Sequence, residues 1–147
     1  MNAWRKLRAL ASRERWVLCR ASFLLPAAWV ALRLRPLPVL TAAVRRRALR
    51  ARRRPDQRPL SPDDVDAWAR LVAIADRRGP MPPSCLRKSL VLAWLLSAHG
   101  VDAAVRIGVA TERGALAAHA WLEITRPSPR RFFSDPGFEL LVPAAPS

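Results

Sequence analysis

The chain has 147 residues, 51% of them apolar, with 26 Lys or Arg against 11 Asp or Glu and a formal charge of +15. That length and apolar content suit one compact domain, or a small domain with a helical appendage, and exclude two full-sized domains. Two cysteines, Cys19 and Cys85, exclude a disulfide framework, and no CxxC or paired Cys/His spacing encloses a metal, so a reducing, cytoplasmic setting with neither metal nor cofactor is expected.

Charge and apolar pattern divide the chain. Through Arg58 there are sixteen Lys or Arg against Glu14 and Asp56; after it, ten face nine acids. The front is strongly basic and the back nearly balanced. Residues 4–34 read as helical, with Trp4, Leu7, Leu10, Trp16, Leu18, Phe23, Leu24 and Trp29 supplying apolar surface. Arg13, Glu14, Arg15 and Arg20 interrupt the start, and no cleavage site follows, so no secretory signal is expected. The apolar run 21–32 is shorter than the ~20 residues of a membrane span and contains Pro26, which predicts two short helices. A basic helix is expected over 41–54, and the Pro-punctuated stretch 51–59 marks a boundary between a segment 1–58 and a domain 59–147.

A better-marked helix follows. Ser61 suits its cap, Pro62 its first position, Asp63 and Asp64 its first turn and Gly79 its stop, with Val65, Trp68, Leu71, Val72 and Ala75 facing inward. Residues 79–83, GPMPP, lead stiffly into a helix that starts at Ser84 or Cys85 and ends at Gly100. The period then drops to two: residues 101–109, 116–124 and 131–135 are predicted strands. The expected fold is α+β, a basic helical front followed by a cysteine-bearing helix packed on a small antiparallel sheet.

Three residues carry chemistry. Cys85 lies in the first turn of its helix, where the positive end of the peptide dipoles favours a thiolate. In LAAHAWLEI, residues 116–124, alternation places His119 with Ala117, Trp121 and Glu123, away from the more aliphatic face. Asp135 follows at an even interval whose midpoint is Pro127, so a hairpin centred there makes His119 and Asp135 cross-strand neighbours with Cβ atoms about 5 Å apart. Glu123 is the rival acid, but four residues along one strand is about 13 Å, too far to orient His119. Cys85 as nucleophile, His119 as base and acid and Asp135 as orienting acid form a coherent acyl-transfer triad, with the Cys85 N–H helping to hold an oxyanion. The alternative is a buried thiol, a satisfied imidazole and a turn aspartate, which spacing alone leaves open.

The order of a cysteine at a helix start, a strand, His in HAWLE and Asp on the next strand resembles the papain-like transglutaminase core. More narrowly, SCLRKSLVLAWLLSAHGVDAAVRIGVA with AAHAWLEI is similar to the lasso-peptide B proteins, specifically the separate protease half of split B proteins; residues 4–38 are similar to that family's leader segment more loosely. The resemblance implies a cysteine protease that removes the leader from a ribosomally made lasso precursor, after which a separate ATP-using macrolactam cyclase closes the ring. It implies Cys85, His119 and Asp135 in the roles given above, with SDPG matching only loosely around Asp135. No segment resembles a leader-recognition domain, so a separate recognition protein is an expected partner.

Other readings use other features. The same triad passing an acyl group to an amine describes a transglutaminase-like acyltransferase, or an amidase. The basic front by itself describes a nucleic-acid or membrane-surface binding module, and it leaves room for peripheral membrane contact. No aromatic interleaving or known motif accompanies the arginines at 45–54, which argues against specific nucleic-acid recognition. His99, about 20 Å along the helix from Cys85, reads as a helix-end residue. Cys19 reads as a packing residue, and Trp121 as either site lining or sheet packing.

Overall fold

A computed structural model describes residues 11–125, 129–134 and 139–140. Among these residues, four helices, α1 (Ser12–Leu34), α2 (Leu37–Arg52), α3 (Pro62–Arg78) and α4 (Cys85–Ser97), precede β1 (Ala103–Glu112), β2 (Ala115–Ile124), β3 (Arg130–Phe132) and β4 (Glu139–Leu140). The strands form one antiparallel sheet in the order β3-β2-β1-β4. The fold is α+β.

Helix α1 runs unbroken through Pro26, against the expectation of two short helices. Pro26 and Ser22, the residue whose carbonyl it leaves without an intrahelical donor, are both exposed. The uninterrupted helix is also long and apolar enough, by length and composition, to cross a membrane, which corrects the estimate from the 21–32 run alone. Its inner face is nevertheless part of the protein core. Val17, Ala21, Leu25 and Ala28 join Val44 of α2, Trp68 and Val72 of α3, Leu92 and Leu96 of α4, and Leu122 and Ile124 of β2 in one hydrophobic cluster. The stretch 53–61, where the boundary was expected, connects α2 to α3, and that cluster draws on residues from both sides of it.

Local signals place α3 and α4. The Ser61 hydroxyl accepts from the Asp64 N–H while the Asp64 carboxylate accepts from the Ser61 N–H, a reciprocal cap with Pro62 in the first turn. Ser84 caps α4 by accepting from the Arg87 N–H, so Cys85 is the first helical residue. The regular helix stops at Ser97, and a turn carries the chain to Gly100, whose φ of +73° suits glycine. Arg52 Nε donates to the Gly100 carbonyl at 2.7 Å and Gln57 Nε2 to that of Ala98 at 3.2 Å, so the end of α2 and its following loop secure the end of α4.

Strands β1 and β2 pair along their whole lengths around a turn at Arg113 and Gly114, and both extend beyond their expected limits toward that turn. Strand β3 is shorter than expected and begins one residue earlier. It stops at Phe132 because Phe133 adopts φ +62°, a left-handed conformation that cannot continue the ladder. Its register pairs Glu123 with Arg131 and so centres the connection on position 127, as the hairpin expectation required. Strand β4, pairing with β1 across the sheet, has no counterpart among the expected elements.

Candidate active site

Cys85 is half-buried and reduced, at the N-terminal end of a helix that packs against β1 and β2. The turn ahead of it is held by a charge pair that sequence reading missed. Asp76, in the last turn of α3, and Arg87, in the first turn of α4, form a buried ion pair with Arg87 Nη2 donating to Asp76 Oδ1 at 2.6 Å and Nε to the same oxygen at 3.2 Å. The second oxygen of Asp76 accepts from the Ser84 N–H at 2.9 Å, and Arg87 Nη2 also donates to the Pro82 carbonyl at 2.7 Å. One carboxylate and one guanidinium therefore bind backbone on the approach to Cys85 and its capping residue. A signal was present: an acid in a last turn and a cation in a first turn both oppose the helix dipole, which implies that another contact outweighs it.

His119 lies midway along β2, opposite Gly108 of β1. Its Nε2 is 2.6 Å from the Phe133 carbonyl oxygen. A carbonyl only accepts, so Nε2 is the donor in this contact. The left-handed backbone of Phe133 accompanies this contact just beyond the end of β3. The Phe133 ring lies beneath Lys88, whose Nζ is 4.9 Å from the ring centroid. Lys88 is one turn from Cys85 on α4, about 4.5 Å along the axis. Phe133 thus connects the imidazole of β2 with the first turn of the cysteine helix, through its carbonyl on one side and its ring on the other.

Asp135 lies outside the described residues. Glu123 is occupied elsewhere, accepting from Arg106 Nε at 2.9 Å and Arg131 Nε at 3.0 Å across the sheet. Trp121 is buried, and its indole N–H has no hydrogen-bond partner among the described residues. His99 is at the opposite end of α4, its ring edge-on to Trp68 with centroids 5.1 Å apart. Cys19 is exposed rather than packed, which corrects the expectation for it: apolar neighbours on both faces of α1 concealed which face turns inward.

An α+β fold with a cysteine at the head of a helix, packed on a strand that presents histidine, defines a class of thiol-bearing domain. Residues 23–128 match the Transglutaminase-like superfamily, and the chain belongs to it. That superfamily includes cysteine proteases and acyltransferases. No curated protein and no solved structure matches the chain.

Proposed function

We propose that the protein is a cysteine peptidase that removes the leader from a ribosomally made lasso precursor, with Cys85, His119 and Asp135 as its triad. The observation that carries the reading is the convergence of His119 and the first turn of the Cys85 helix on Phe133. His119 is the residue suited to take the thiol proton. The Cys85 thiolate attacks the scissile carbonyl carbon, and the Cys85 N–H, at a helix N-terminus where backbone donors lack intrahelical partners, contributes to holding the oxyanion. Collapse breaks the C–N bond, and His119 gives its proton to the departing amine of the core peptide. Water, deprotonated by His119, then cleaves the leader thioester and returns the thiol. Asp135 supports the imidazolium formed in each half-reaction. The resemblance of SCLRKSLVLAWLL and HAWLE to split lasso B proteins favours this substrate, a separate leader-recognition protein and a partner cyclase over other members' chemistry.

The test is to incubate the protein with a candidate precursor and its recognition partner and weigh the products. Cys85→Ala and His119→Ala are expected to abolish cleavage with unchanged circular dichroism, whereas Cys19→Ala cleaves normally. Asp135→Asn retains residual activity, because it disturbs charge and orientation rather than removing the base. Normal cleavage by Cys85→Ala overturns the assignment. Incorporation of an added amine into the leader product, in place of hydrolysis, moves the protein to the acyltransferase class.

A further inference from the structure

Helix α1 is apolar on two faces, and among the described residues one of them packs into the core. Opposite the buried line Val17, Ala21, Leu25 and Ala28 runs an exposed line with an apolar residue every second turn and then one turn on: Trp16 (47% exposed), Phe23 (80%), Val30 (45%) and Leu34 (74%). From Trp16 to Leu34 it extends about 27 Å. Arginines border it, with Arg20 stacked 4.8 Å from the Trp16 ring centroid and Arg33 4.3 Å from that of Trp29. A globular helix ordinarily turns a polar face to water; a second apolar stripe this long implies something that covers it.

A groove beside the stripe indicates the chemistry of that cover. Ala27, exposed between Phe23 and Val30, also lines an apolar cavity of about 320 Å³ between α1, α2 and α4. Ala43 and Trp94 line both this cavity and a second groove of about 630 Å³ that contains Arg46, Arg47, Arg50 and Arg54. None of these four pairs with a carboxylate among the described residues. Arg47 lies 4.3 Å from the ring centroid of Trp94, on the wall that the apolar cavity and the arginine groove share. Stripe, cavity and uncompensated cations form one surface.

We propose that the outer face of α1, with the arginine groove beside it, docks side-on against an anionic lipid bilayer. Aromatic and aliphatic side chains enter the acyl boundary, and the arginines meet the headgroup phosphates; tryptophan and arginine at the margins suit such an interface. An acidic peptide accounts for the arginine groove but leaves the outer stripe exposed. The helix does not span the membrane, because its other face is built into the core against α3 and α4.

The experiment is sedimentation of the full chain with vesicles of phosphatidylcholine alone and of equal parts phosphatidylcholine and phosphatidylglycerol. Binding is expected to the anionic vesicles and to weaken with salt. Phe23→Ser with Val30→Ser, both outside the core, should lower affinity at least tenfold. Arg46→Gln, Arg50→Gln and Arg54→Gln together should lower it about a hundredfold and flatten the salt dependence. Cys19, exposed on the same side of α1, gives a local readout: its alkylation by a maleimide should slow with anionic vesicles and stay unchanged with neutral ones. Absence of vesicle binding, equal binding to both compositions, or unaltered Cys19 alkylation overturns the proposal. So does a dimer that Phe23→Ser with Val30→Ser converts to monomer without vesicle binding, which assigns the face to a second copy.

Discussion

At the scale of single residues, the backbone of Ser84 and Pro82 on the approach to Cys85 is bound by the pair of Asp76 and Arg87. Their side chains are 1% and 5% exposed, so removing either leaves a charge buried without its counter-charge. Asp76→Ala should therefore cost about 3–5 kcal/mol of stability in urea unfolding. The paired Asp76→Leu, Arg87→Met variant should lose less than that single variant, since it buries no orphan charge. It also releases the Ser84 N–H and the Pro82 carbonyl, so leader cleavage by the folded double variant should remain slow. Full cleavage by that variant would restrict the pair to a stabilising role.

At the scale of elements, the two ends of α4 do different work. Its head carries Cys85, while its tail is secured by Arg52, Gln57 and the packing of His99 on Trp68. Burial, then repulsion from Arg13, holds His99 below its ordinary value of 6.5, partly opposed by the Arg58 backbone. Below that value the unfolded chain binds a proton that the folded chain resists, so the neutral, half-buried imidazole contributes stability above pH 6.5 that is lost as pH falls through the lower folded value. The urea midpoint should accordingly fall between pH of about 7 and about 5.5, and fall less steeply in His99→Gln. Identical slopes for the two proteins would assign the dependence to other groups. Local capping rules made the start of α4 legible, but its regular end comes three residues before the expected Gly100, because a turn intervenes where Gln57 and Arg52 bind the Ala98 and Gly100 carbonyls.

At the scale of the whole molecule, one hydrophobic cluster extends from α1 to β2. Leu25, 3% exposed in the basic front, and Leu96, fully buried in the cysteine helix, should each cost about 2–5 kcal/mol when changed to Ala. Both variants should unfold in a single urea transition that coincides by tryptophan fluorescence and circular dichroism. A separate early transition affected only by Leu25→Ala would instead show the front unfolding independently. The charge split between front and back thus describes the surface, while the apolar positions describe the core, and the two need not divide the chain at the same place.

Short-range chemistry was sufficient for much of this molecule. The Ser61 cap, the proline entry to α3, the Ser84 cap that puts Cys85 first in α4, and the alternation of β1 and β2 all depend on neighbours a few residues apart, so composition and period alone determined them, along with the α+β order and the residue types available for thiol chemistry. Tertiary structure decided the rest, for a physical reason visible in particular contacts. Asp76 meets Arg87 across a helix connection, His119 meets Phe133 where a strand ends in a left-handed turn, and Arg52 meets Gly100 across 48 positions. Such pairs exist only once helices have packed and loops have taken their paths. The same packing chose between the two apolar faces of α1, burying Ala21 and leaving Phe23 in solvent, a choice that sequence alone could not make because both faces carry apolar side chains and the bulkier ones lie on the face left outside.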